Sequence, residues 1–143
     1  GDGTAAWEAT GGGTVYHYMQ HGFDHTGTAD FYVPFSPSNI EQISTSDALI
    51  DDQIWIAPFA GKLIKAYLYA ESAAGDTDMK LNINASLGSS VLSGGVVDVA
   101  SKTVATFTAD QNNTFSVGDV VRLYLDPTAK PDSAQMTTIW EID

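Results

Sequence analysis

The sequence predicts an all-β fold: an antiparallel β-sandwich, jelly-roll-like, behind an extended N-terminal linker. Three observations predict it. Apolar and polar residues alternate with period two through several runs, most clearly where Met79, Leu81, Ile83 and Ala85 interleave with Lys80, Asn82 and Asn84. Turn-forming residues interrupt these runs at roughly ten-residue spacing, which leaves about eight short strands. No run sustains a period near 3.6, so no long helix is expected. At 143 residues the chain is long enough for one domain with a real core. Residues 1–13 read as the linker or attachment segment and residues 14–143 as the sandwich.

The linker is rich in Gly, Ala and Thr and ends on Gly11-Gly12-Gly13. Trp7 is out of place there, because an indole seeks burial, so it is expected to pack on the domain or on a neighbouring copy. The chain opens on Gly with no Met, and this opening reads as the end of a preceding segment. A piece of a longer protein is therefore expected.

The first strand is expected within Thr14 to Phe23. Val15, His17, Met19 and His21 fall on one face, and Tyr16, Tyr18 and Gln20 on the other. A turn over Asp24 to Thr28 leads to a short strand ending at Pro34. Ile40 to Ile50 is polar and reads as a long loop or a short helix with a weak Ser or Asp cap. The most apolar run follows, Ile54 to Tyr69. Pro58 and Gly61 break it into two strands, since proline donates no ladder hydrogen bond and glycine gives a turn its freedom. Beyond Gly61, alternation puts Leu63, Lys65, Tyr67 and Tyr69 on one face. Further strands are expected at Met79 to Ala85, around Val96 to Val99 and Val104 to Phe107, at Val120 to Leu125, and at Met136 to Ile142.

The composition excludes several classes of function. Apolar residues make up 43% and charged residues 17%, so a disordered chain is not expected. Eighteen Asp and Glu stand against six Lys and Arg, for a net charge of −12. That leaves too few cations to neutralise nucleic-acid phosphates, and it disfavours an anionic membrane. No stretch reaches the roughly 18 apolar residues of a membrane-spanning helix. With no Cys there is neither a disulfide framework nor a thiolate metal site.

His17, His21 and His25 recur at every fourth position. On a helix they would share one face and suggest zinc. In a strand, residues four apart lie about 13 Å from each other, too far to share an ion within one chain. In a trimer, His17 or His21 from each copy would meet on the three-fold axis; otherwise they are polar aromatics on a partly buried face. The acidic pairs Asp51-Asp52 and Asp76/Asp78 lack the spacing of a calcium loop and read as solvated turns. No nucleophile elbow, phosphate loop or paired-carboxylate signature stands out, so no enzyme, no catalytic residue and no cofactor is expected. The aromatics Trp55, Tyr67, Tyr69, Tyr124 and Trp140, with Trp7, remain as subunit-interface, core or glycan-stacking residues.

Several segments, taken together, resemble a known module. They are Trp55-Ile56-Ala57-Pro58-Phe59-Ala60-Gly61-Lys62-Leu63, Glu71-Ser72-Ala73-Ala74-Gly75, Phe115-Ser116-Val117-Gly118-Asp119-Val120-Val121, Leu125-Asp126-Pro127-Thr128 and the closing Thr137-Thr138-Ile139-Trp140-Glu141-Ile142. In this order they resemble a module of tailed-bacteriophage virion proteins, especially those of cyanophages and marine phages. The resemblance covers roughly residues 31–143. The opening Gly1-Asp2-Gly3-Thr4-Ala5-Ala6-Trp7 also resembles the segment that ends many phage fibre shafts. The resemblance implies a virion structural protein: the terminal or surface domain of a trimeric fibre or appendage, in contact with shaft or capsid proteins and with the host surface. It brings no catalytic residues. Two alternatives stay open, a capsid decoration protein clamping neighbouring subunits and a carbohydrate-binding module for a host glycan.

Overall fold

Two antiparallel sheets pack face to face, as a β-sandwich. The computed structural model describes residues 13–35, 54–86, 89–93, 95–110 and 112–143. The expectations for Trp7, for the linker up to residue 12, for the loop or helix at 40–50 and for Asp51-Asp52 lie outside these residues. Among the described residues there are ten strands and no helix. They are β1 (Val15–Phe23), β2 (Phe31–Val33), β3 (Trp55–Ile56), β4 (Gly61–Ala70), β5 (Gly75–Ile83), β6 (Val97–Val99), β7 (Ala105–Thr108), β8 (Thr114–Phe115), β9 (Val120–Pro127) and β10 (Ala134–Ile142).

The first sheet has the order β1-β10-β4-β7, with β8 also pairing β4. The second has the order β2-β9-β5-β6, with β3 also pairing β9. The eight longer strands change sheet at most connections, so few neighbours in a sheet are neighbours in sequence. The core lies between the sheets, built from alternate residues: Leu63, Ala66 and Leu68 of β4, Met79 and Leu81 of β5, Val121, Leu123 and Leu125 of β9, and Met136 and Trp140 of β10. The alternation holds from Met79 to Leu81, which face inward, with Lys80 on the outer face beside Asp126 at 3.1 Å; beyond it Asn82 is buried and Asn84 lies past the strand end.

β4 departs from simple alternation. Opposite β10, Ile139 pairs with Lys65 but Trp140 pairs with Leu63, so Ile64 is an extra residue. Such a bulge places two successive side chains on nearly the same side. Leu63 therefore turns into the core while Lys65 and Tyr67 stay outside. This corrects the expectation that Leu63 shares their face. Period two cannot show the shift, because it is imposed by a partner strand about seventy residues away.

Three of the five segments that carry the resemblance meet at one end of the sandwich, while Glu71–Gly75 and Leu125–Thr128 meet at the other, where the Thr128 N–H donates to the Ala74 carbonyl at 3.1 Å. The Ala57 N–H donates to the Asp119 carbonyl at 2.9 Å, and the Gly118 N–H donates back to the Ala57 carbonyl at 2.8 Å. Trp55 and Phe59 from the first segment pack on Phe115 from the third and, with Phe35, surround Trp140, whose ring centre lies 5.2 Å from Trp55 and 5.7 Å from Phe115. At Gly61 a Cβ would overlap the Glu141 backbone carbonyl, so only glycine lets β4 start this close to β10. These residues are thus builders of the fold.

Asn113 completes the ladder of β4 where no strand reaches it. Its Oδ1 accepts the Leu63 N–H at 2.6 Å, and its Nδ2 donates to the Leu63 carbonyl at 3.1 Å and to the Asp110 carbonyl. A buried side-chain amide thus satisfies one donor and one acceptor of the main chain, as a neighbouring strand would.

Candidate functional site

The structure separates the proposed site residues sharply. Trp140 is fully buried, with its indole N–H donated to the Thr138 hydroxyl at 2.8 Å. Tyr124 is fully buried too, on the outer side of β9 beneath Lys80 and beside Tyr32. Burial, with Asp30, Tyr32, Asp78 and Asp126 nearby, pushes its phenol up to about 12. Neither ring is open to a sugar or to another copy, which corrects their assignment as contact residues. Trp55 is a half-buried member of the aromatic end. Tyr69 donates its hydroxyl to Glu71 at 3.1 Å, and that bond to a carboxylate raises its pKa.

His21 is corrected as well, while His17 stays exposed. His21 is buried, with Nδ1 donating to the Pro34 carbonyl at 2.7 Å and Nε2 lying 2.9 Å from the Thr138 hydroxyl. Thr138 donates to Nε2 and receives the Trp140 N–H, so His21 is the neutral end of a short hydrogen-bond chain. Both nitrogens are satisfied inside one protomer, which takes His21 off any three-fold axis. His17 packs its ring edge-on to Phe59, 5.2 Å between centres. Among the described residues, no three His, Asp or Glu are grouped to hold a metal ion.

Burial lowers the His21 pKa below 6.5, against the raising effect of its Pro34 bond. Above the unfolded pKa of about 6.5 both states are neutral at this residue. Below it the unfolded chain takes up a proton that the folded protein refuses, so stability falls as pH drops toward the folded pKa. The slope is at most about 1.4 kcal/mol per pH unit. Chemical unfolding at pH 7.5, 6.5 and 5.5 is expected to show this component in the native sequence and not in His21→Gln. Equal pH slopes for the two proteins would show that His21 titrates alike in both states.

The face that remains open is the outer side of the first sheet. Tyr16 and Tyr18 of β1, Ile139 of β10, and Ile64, Lys65 and Tyr67 of β4 line a shallow groove of about 270 Å³. Tyr18 is 61% exposed, Tyr16 44% and Tyr67 37%. The register explains the grouping. Tyr18, Ile139 and Lys65 form one row across three strands, and Gln20, Thr137 and Tyr67 form the next. Adjacent strands are about 4.8 Å apart, so two strands place Tyr67 about 10 Å across the sheet from β1. Thr106 and Thr108 of β7 extend the surface past β4. The Ile64 bulge keeps Lys65 and Tyr67 on this side.

The face differs in charge from the rest of the molecule. Lys62 is paired with Glu141 at 3.5 Å, while Lys65 makes no ion pair or hydrogen bond among the described residues. The second sheet carries Asp76, Asp78, Asp98 and Asp126 on its outer strand positions, with Lys80 bridging Asp126 and Asp78. Of the described residues singled out by sequence, only Tyr67 lines the groove. Tyr16 and Tyr18 were legible as one strand face, but nothing local links them to Tyr67. No protein-family model matches this chain, and no curated protein matches it either, so the face is read from its own geometry.

Proposed function

We propose that this chain is a non-catalytic structural module of a bacteriophage virion, the terminal or surface domain of a homotrimeric fibre or appendage that meets the host surface. The observation that carries the reading is the placement of two distinct open surfaces on one rigid sandwich. One is the tyrosine-lined face. The other is an apolar rim at the aromatic end, where Val15, Ile56 and Val117 are 47%, 55% and 67% exposed. That rim lies at the start of β1, so the preceding chain enters beside it. Exposed apolar groups clustered at the entry end suit contact between copies, or with a shaft or the capsid. The alternation of strands between the sheets supports the jelly-roll form of the sandwich.

The solution mass tests the trimer. Light scattering behind a sizing column is expected to give a species near three times 15.2 kDa. The double variant Ile56→Asp, Val117→Asp is expected to run at one third of that mass with an unchanged far-ultraviolet spectrum. A native monomer would overturn the self-assembled appendage and favour a decoration protein that assembles only on the capsid.

A further inference from the structure

We infer that the groove between Tyr16, Tyr18 and Tyr67 binds an acidic polysaccharide of the host surface, with pyranose rings against the tyrosines and a uronate carboxylate on Lys65. This rests on the host-contact reading above and names the ligand class and the residues that would take it.

Three observations carry it. The first is the form of the surface. Three exposed phenol rings flank a shallow, open groove on a regular sheet, so an extended chain can lie along it without a pocket closing over it. Phenols join an apolar ring to a polar tip, which matches a pyranose with its apolar C–H face and its hydroxyl rim.

The second is the polar surround. Gln20, Thr106, Thr108, Thr137 and Gln135 occupy the outward positions next to the tyrosines. These side chains donate and accept hydrogen bonds without adding charge, and Glu141, opposite Tyr16 on the same face, is balanced by Lys62 at 3.5 Å. An interface between copies would favour a larger apolar patch on this face.

The third is charge. Lys65 sits beside Ile139 and in line with Tyr18, with no carboxylate paired to it among the described residues. On a chain of net charge −12, three of the six Lys and Arg, Lys62, Lys80 and Lys102, are paired with an acid, and Lys65 is the one that faces the groove. The acidic outer face of the second sheet points the opposite way. The two outer faces are separated by the whole sandwich, whose sheets alone are about 10 Å apart, so repulsion from those aspartates is weakened by distance. Against an acidic cell surface, the same asymmetry turns the tyrosine face toward the cell and the acidic face away.

The test uses the full chain and three uronate oligomers, oligogalacturonate, oligoalginate and a hyaluronan fragment, with fully methyl-esterified oligogalacturonate as the neutral control. Calorimetry gives affinity, and NMR of the tyrosine rings locates the site. At least one uronate is expected to bind and to shift the ring signals of Tyr16, Tyr18 and Tyr67. Tyr18→Ala is expected to weaken binding about tenfold or more, since an exposed ring can be removed without harm to the core. Lys65→Gln is expected to weaken the uronate about tenfold, the worth of one charge-assisted hydrogen bond, and to leave the weaker ester unchanged. Equal affinity for acid and ester would overturn the role of Lys65 and with it the acidic class. Failure of all three uronates, or binding that ignores Tyr18→Ala, would overturn the site. If Tyr18→Ala instead breaks the assembled mass, this face joins copies and the inference is wrong. A protein that trimerises through its apolar rim yet binds none of these sugars keeps the appendage reading and loses only this one.

Discussion

Trp140→Ala is expected to lower folding stability by about 3–5 kcal/mol. The indole is fully buried at the aromatic end, in contact with Phe35, Trp55 and Phe115. These rings come from separate segments, and Trp140 sits on β10 in the middle of the first sheet. Its removal leaves a large cavity that such neighbours cannot jointly collapse to fill. It also frees the Thr138 hydroxyl from its donor, at the head of the chain that runs to His21 and Pro34. Urea unfolding should show a lower midpoint with an unchanged slope. Trp140→Phe keeps most of the volume and should lose markedly less. A loss below about 1 kcal/mol for the alanine variant would show that the cluster does not depend on its centre.

Asn113→Ala is the second large effect, expected at about 2–4 kcal/mol. The cost comes from what the substitution leaves behind. The Leu63 N–H and carbonyl lose their partner together, on a buried residue in the interior of the first sheet. Each orphaned buried group costs about 1–3 kcal/mol. Asn113→Asp should not restore stability, because a carboxylate can accept the Leu63 N–H but faces two carbonyls where the amide donated. Native-state hydrogen exchange gives a local readout: the Leu63 amide should exchange far faster in Asn113→Ala relative to neighbours in β4. Unchanged protection at Leu63 would mean that another group takes over the bond.

The fold class was legible because a half-buried strand writes its period directly into sequence, as Met79 to Leu81 does. Long-range register was not. The Ile64 bulge reverses the expected side of Leu63 and is fixed by pairing with β10. Tyr124 and Tyr67 look alike in sequence, each an aromatic in an alternating run, yet one is sealed and the other open. The difference lies in what covers each ring: Tyr124 lies beneath Lys80 and against Tyr32, from other strands, while Tyr67 borders an open groove. His21 shows the same limit. Its partners Pro34 and Thr138 lie 13 and 117 residues away, so its spacing from His17 and His25 held no information about its chemistry. The candidate groove is likewise assembled by pairing: Tyr18 meets Lys65 only through Ile139.

The position of β10 has a consequence for biosynthesis. It lies between β1 and β4 and pairs with both along nearly its whole length. β1 leaves the ribosome early but finds its ladder partner only after some 120 further residues have been made, since Val15 pairs with Ile142. Until then its tyrosines and its unpaired backbone are available to other nascent chains. The first sheet, and with it the tyrosine face, is therefore assembled after translation of the domain, with β10 inserted as a keystone between strands that wait for it. Where several copies are translated close together, the interval before β10 emerges is when wrong pairings compete with right ones.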